Sequence, residues 1–165
     1  MRKIFLTAFI TVISLSSCLK GGGGGCSFSA CAQVASAMEI QTIQNYLATN
    51  SLTATQHCSG LFYRIDSMGT GSAPDACSNI TVTYKAYLTN GTVFDQQTSP
   101  IALSLAQTIT GWRSAIPLIK AGGRIVLYIP PSLAYGNQNV TDQNGNVVIP
   151  ANSYLVFEVN LVAVQ

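Results

Sequence analysis

Charge is scarce in this sequence: Asp, Glu, Lys and Arg together make up 8% of its 165 residues. The eight Lys and Arg include Arg2 and Lys3 in an N-terminal leader, which leaves six basic residues against six acidic ones. That balance provides no basic patch and no electrostatic route to nucleic acid. The surface must be polar through Gly, Ser, Thr, Asn and Gln, a composition that suits an extracytoplasmic protein. Histidine is limited to His57 and tryptophan to Trp112. With one histidine and no CxxC pair there is no zinc set, and no phosphate-binding loop or hydrolytic triad is present either. His57 beside Cys58 is adjacency, which does not make a catalytic dyad.

Long apolar runs are also missing, apart from Ile4 to Leu15, which is too short for a stable membrane span. With Arg2 and Lys3 before it and small residues after it, residues 1–17 read as a signal peptide. Leu15-Ser16-Ser17-Cys18 resembles the bacterial lipobox, which implies cleavage before Cys18 and acylation of its thiol and new N-terminus. Two or three acyl chains hold a protein firmly on a membrane. Ordinary secretion, with Cys18 free or removed, is the alternative. Five glycines at 21–25 follow, and residues 18–31 are expected to be a lipidated cysteine and its flexible tether. The expected location is the bacterial cell envelope, lipid-anchored and facing the periplasm.

Four further cysteines, Cys26, Cys31, Cys58 and Cys77, form an even set that suggests two disulfides, with three pairings open. Closeness in sequence favours Cys26 with Cys31, and Cys58 with Cys77 around a strand and its turn. Asn79-Ile80-Thr81, Asn90-Gly91-Thr92 and Asn139-Val140-Thr141 match a glycosylation acceptor, but in a bacterial lipoprotein they read as polar strand ends and turns.

Residues 32–57 are expected to form a helical arm. From Ala32 to Thr49 the apolar residues Val34, Met38, Ile40, Ile43 and Leu47 recur at helical intervals, and Asn50-Ser51 ends the run. Such a stripe is expected to pack on the domain behind it, with a dimerisation arm as the alternative. Residues 61–66 read as a strand. Residues 80–88 alternate, with Ile80, Val82, Tyr84, Ala86 and Leu88 on one face, and Asn90-Gly91 supplies a hairpin turn. Thr92 to Asp95 starts the return, Ile101 to Leu105 is a further short strand, and 124–129 and 154–162 are the strongest remaining ones. Trp112, Ala115, Ile116 and Ile119 have helical spacing, but Pro117 keeps that helix short. The result is an α+β domain of antiparallel strands in which the sheet wraps that short helix.

In that frame VTYKAYLTNGTVFDQ, TSPIALSL, TITGW, GGRIVLYIPPSLAYG and VIPANSYLVFEVNL stand in order from Val82 onward. Together they resemble the FKBP-type peptidyl-prolyl cis-trans isomerases, in a bacterial lipoprotein form, over residues 58–165, and the resemblance implies a curved antiparallel sheet wrapped around the short helix. The resemblance implies an apolar pocket lined by Tyr84, Phe94, Asp95, Ile101, Thr108, Ile109, Trp112, Tyr135, Ile149 and Phe157, with Trp112 as its floor. It implies that the Tyr135 hydroxyl and the Ile109 N–H donate to ligand carbonyls, and that Asp95 either orients Tyr84 or polarises the twisted amide. Tyr84, Asp95 and Tyr135 are thus the candidate catalytic groups. Pro130 and Pro131 stiffen the approach to Tyr135, and Gly136 lets the chain turn after it.

Two departures from the family pattern are Ile101, where an aromatic is common, and Thr108, where valine is common. Both imply a pocket that is wider or wetter. The segment 137–148 is long and carries its own Asn-Gly turn. The expected function is isomerisation of X-Pro bonds in unfolded or exported proteins, open to macrolide inhibitors and needing no cofactor or metal. The alternatives are an FKBP-fold binding or chaperone module with little turnover, and a structural envelope scaffold.

Overall fold

The computed structural model describes residues 26–165, so the signal peptide, Cys18 and the glycine run lie outside the described residues. Among the described residues no helix is long and apolar enough to cross a membrane.

Helix α1 spans Ala37–Thr49. Its start, five residues later than the apolar spacing suggests, is set by a capping box: Ser36 Oγ accepts from the Glu39 N–H while the Glu39 carboxylate accepts from the Ser36 N–H. Before it the chain is not helical, and the Ala35 N–H donates to the Ser59 carbonyl at 2.8 Å. After Asn50, Ser51 takes φ +54°, the left-handed conformation that stops a helix. The apolar stripe divides. Ile43 and Leu47 are buried against Phe62, Val126, Tyr128 and Val156 on the outer face of the sheet, whereas Val34 and Met38 are 57% and 80% exposed. The helix therefore docks on its own domain through its C-terminal half.

The strands are β1 (Thr55–Gln56), β2 (Phe62–Ser67), β3 (Asn79–Leu88), β4 (Val93–Ser104), β5 (Gly123–Ile129), β6 (Val140–Thr141), β7 (Val147–Ile149) and β8 (Leu155–Val164). Six of them form one sheet in the order β1-β2-β5-β8-β3-β4, with every pair antiparallel. β1 falls in the stretch assigned from sequence to the arm, so the sheet begins before residue 58. The two short strands expected at 92–95 and 101–105 are one strand, β4. Between Tyr84 paired with Gln97 and Val82 paired with Ile101 the register shifts, so Thr98, Ser99 and Pro100 form a bulge and not a loop. Pro100 is tolerated because β4 is the sheet edge.

Helix α2, Thr110–Ala115, crosses the concave face and passes into a tight turn at Ile116–Leu118, where Pro117 ends regular α-helix. Trp112, Ala115, Ile116 and Ile119 are buried there with Ile80, Val82, Ile125, Leu127, Ile129, Val159 and Leu161. Gly111 makes this contact possible. A Cβ at that position would stand 2.7 Å from Ile129 Cγ2, closer than carbon atoms pack.

The cysteine pairing differs from the one that closeness favours. The disulfides are Cys26–Cys77 and Cys31–Cys58, spanning 51 and 27 residues. The physical reason is the path of the chain: residues 26–35 run back along the domain, so one end meets the segment before β3 and the other the turn before β2. In the clusters Cys31, His57, Cys58 and Cys26, Asp75, Cys77 the sulfurs are thereby joined to each other, which leaves no thiolate to ligate a metal.

Candidate functional site

Alternation on β3 determines which side chains enter the concave face. Ala86 is fully buried and is paired with Asp95 on β4 and Phe157 on β8, so its small side chain leaves room for the larger groups beside it. Tyr84, two residues back on the same face, donates its hydroxyl to Asp95 Oδ2 at 2.5 Å. Trp112, from α2, meets Tyr84 edge-to-face at 5.5 Å and Phe157 at 5.4 Å between ring centroids. Phe94 meets Phe157 at 5.8 Å and 83°. Edge-to-face packing of this kind adds stability beyond buried area and fixes ring orientation. Four rings thus form a rigid corner.

This corner bounds a hollow of about 270 Å³ lined by Tyr84, Phe94, Asp95, Leu103, Gln107, Thr108, Ile109, Trp112, Tyr135 and Phe157. Ile101 and Ile149 are not on its wall. Ile101 packs on the core from beside the β4 bulge, and Ile149, on β7, is 3% exposed within the core cluster. The lining residues that sequence reasoning missed are Leu103 and Gln107. Strand period two places Leu103 on the face of Ile101, so alternation could have found it. Gln107 ends the tight turn Leu105–Gln107 immediately before Thr108, and no pattern marks it.

Two hydrogen-bond donors at the hollow have no partner among the described residues: the Tyr135 hydroxyl and the Ile109 N–H. Ile109 precedes α2 with φ −59° and ψ 152°, and its N–H lies outside the helical ladder. The buried indole N–H of Trp112 is a third unpaired donor. Burial, then the Asp95 hydrogen bond and charge, pushes the Tyr84 phenol well above its ordinary range. Burial, then the Asp95 charge, raises Tyr135 as well. Both hydroxyls therefore remain protonated, hence donors, across any physiological pH.

Tyr135 is set in place by the segment before it. Pro131–Leu133 forms a single tight turn after β5, and the Ala134 and Gly136 N–H groups both donate to the Pro131 carbonyl at 2.9 Å. Gly136 takes φ +63° and turns the chain away behind the tyrosine. The β6–β7 hairpin that follows is closed by Asp142, whose carboxylate accepts from the N–H groups of Asn144 and Asn146, with Gly145 at φ +84°.

What the hollow can do chemically is limited but definite. An apolar wall and floor desolvate a small ring, the unpaired donors orient carbonyls on either side of it, and one carboxylate lies at the rim. Nothing in it resembles an activated nucleophile.

The family model for FKBP-type peptidyl-prolyl cis-trans isomerase matches residues 71–162. The FKBP-type peptidyl-prolyl cis-trans isomerase FkpA of Buchnera aphidicola from Acyrthosiphon pisum is 44% identical over 109 residues, 64% of this chain and 43% of that protein. FkpA of Aeromonas hydrophila is 36% identical over 129 residues, 74% of this chain and 45% of that protein. This chain thus spans less than half the length of these relatives. The crystal structure of FkpA from Escherichia coli superposes with a TM-score of 0.65 at 34% identity, covering 78% of this chain and 60% of that one. The peptidyl-prolyl cis-trans isomerase of Pseudomonas syringae superposes at 0.66 and 30% identity, covering 78% of this chain and 94% of that one. With the matched model covering more than half of the 165 residues, the chain belongs to the FKBP-type peptidyl-prolyl cis-trans isomerase family.

Proposed function

We propose that residues 26–165 catalyse cis/trans exchange of X-Pro bonds in exported polypeptides. The observation that carries this reading is the hollow itself: aromatic walls, the Tyr84–Asp95 pair, and unpaired donors at Tyr135 and Ile109. The planar X-Pro amide is held by resonance behind a barrier of about 18–20 kcal/mol. Its planar form separates more charge than its twisted form, so transfer from water to an apolar cleft raises the ground state relative to the transition state. Trp112, Phe94 and Phe157 supply that environment.

Orientation supplies the rest, because an amide free to slide in the hollow gains little from it. The Tyr135 O–H and Ile109 N–H hold the flanking carbonyls while the imide turns. Asp95 fixes Tyr84 through their hydrogen bond and presents negative charge to the twisted amide. It acts as an electrostatic partner and forms no covalent bond.

The site of action we propose is the bacterial envelope, with Cys18 as lipid anchor. Two disulfides support an oxidising compartment, and the leader and lipobox support export. Replacement of Cys18 by Ala should abolish incorporation of labelled fatty acid and release the protein from membranes. Incorporation that survives the change sinks the anchor.

The activity is tested on the oxidised soluble domain with an X-Pro peptide. Exchange faster than in buffer, reduced in Asp95→Ala and Tyr135→Phe with the fold intact, supports the reading. Peptide binding with exchange no faster than buffer moves the domain to a binding module.

A further inference from the structure

Ser132 lies in the tight turn that leads to Tyr135, and every polar group it owns is taken by the N-terminal arm. Its N–H donates to Glu39 Oε1 at 2.9 Å, its hydroxyl donates to Glu39 Oε2 at 3.0 Å, and its carbonyl accepts from the Gln33 side-chain amide. These contacts cross 93 and 99 residues of sequence, so they are tertiary in nature. Gln33 also accepts from the Thr110 hydroxyl at 3.4 Å, next to Ile109. The arm thus touches the chain beside two of the unpaired donors of the hollow, the Tyr135 hydroxyl and the Ile109 N–H.

The arm is itself fixed. Cys31 is bonded to Cys58, the Ala35 N–H donates to Ser59, the Ala30 carbonyl accepts from Ser114 on α2, and the Arg113 guanidinium lies 4.1 Å over the Phe28 ring. Glu39 accepts from Ser36 as well as from Ser132, so one carboxylate joins the start of α1 to the Tyr135 turn. From Ser132 the link to Tyr135 is short and stiff, since the Ala134 and Gly136 N–H groups both close on the Pro131 carbonyl.

We infer that Glu39 is a positioning residue for Tyr135: through Ser132 it sets the height of the tyrosine hydroxyl over the hollow, and so the alignment of the ligand carbonyl that the hydroxyl meets. This rests on the isomerase reading for its kinetic readout. A small displacement of an orienting group is costly in rate even when no reacting atom is removed.

The test is a double-mutant cycle on the oxidised domain. Glu39→Ala should lower kcat/KM for an X-Pro peptide about three- to tenfold. In a Tyr135→Phe background the same change should have no further effect, because the donor it positions is gone. Glu39→Gln, whose amide oxygen still accepts from the Ser132 N–H, should recover most of the rate. Ser36→Ala removes the helix cap while leaving the Ser132 bonds, so it should lower the melting temperature without changing the rate. An equal loss from Glu39→Ala with and without the Tyr135 hydroxyl, or no loss at all, overturns the inference. Should Glu39→Ala fail to fold, Ser132→Ala carries the cycle, with a smaller loss expected and the same two results against it. If the wild-type domain shows no exchange above buffer, the isomerase reading fails separately. The positioning is then read from the Tyr135 ring resonances, which Glu39→Ala must shift or broaden while those of Tyr63 stay in place; unmoved Tyr135 resonances overturn it.

Discussion

The hollow and the arm are held together by different physics. Around the hollow, stability comes from apolar side chains on the concave face: Trp112, Phe157, Ala86, Ile125, Leu127 and Ile129 are all at most 5% exposed. Along residues 26–36 Ala35 is the only one that is buried, and two disulfides with a handful of hydrogen bonds do the holding. A packed core tolerates no change of volume, whereas a stapled strap tolerates changes of side chain but not of cross-link. The two regions should therefore fail in different ways.

The strongest test of this contrast is at Trp112. Trp112→Ala removes the shared partner of Tyr84 and Phe157, and should lower stability by about 3–5 kcal/mol. Denaturant unfolding measures the loss, and a loss under about 1 kcal/mol would mean that the corner is not packed as described. The arm's counterpart is its cross-links. In the chain-entropy account, losing the bridge over 51 residues costs about 4 kcal/mol and the one over 27 residues about 3.5. Peptide mapping without reductant should find Cys26 with Cys77 and Cys31 with Cys58. Mapping that joins Cys26 to Cys31 overturns the path of the arm.

Gly111 offers a smaller and sharper probe of the core. A methyl group there meets Ile129 at 2.7 Å, and Ile129 is fully buried with nowhere to move. Gly111→Ala should cost about 1–3 kcal/mol by overpacking. The same substitution at Gly91 of the β3–β4 turn has open space around it but φ +89°, so any loss there comes from backbone strain alone. Equal loss of packing enthalpy at both sites would remove the distinction between the two causes.

The same contrast explains how far the sequence could be read. Alternation on 80–88 exposes the face that carries Tyr84 and Ala86, and the spacing of Trp112 to Ile119 shows the face of α2, because both follow from local geometry. Eight of the ten pocket residues anticipated from sequence line the hollow. Ile101 does not, because a bulge in β4 alters the register there, and a bulge has no reliable one-residue signature. The disulfide pairing and the Gln33 and Glu39 contacts with Ser132 were not readable. They depend on where residues 26–39 run relative to elements up to 99 positions away, and short loops, which local reasoning favours, are not the ones that the fold brings together.

The smallest expected effect separates the two regions by pH. On the arm side burial raises the Glu39 carboxyl, but hydrogen bonds from Ser132 and Ser36 outweigh it and hold the group below its ordinary 4.5. Burial holds His57, next to the Cys58 bridge, below its ordinary 6.5. Both folded values lie under the unfolded ones, so each contribution is fully present above the unfolded value and is lost as pH falls through the folded value. Tyr84 and Tyr135 lie on the other side: their folded values are raised, so their contribution is complete below the ordinary 10.0 and disappears only as pH rises through the folded values. Acid should therefore loosen the arm before the pocket, whereas alkali acts on both, because burial also raises Tyr128, on which α1 packs. Amide hydrogen exchange reads this locally, with α1 amides losing protection below about pH 4.5 while β5 and β8 keep theirs. Glu39→Gln cannot titrate there, and its α1 protection should fall less over the same interval. Loss of protection in β8 ahead of α1, or an unchanged acid response in Glu39→Gln, would show that the carboxylate does not hold the arm.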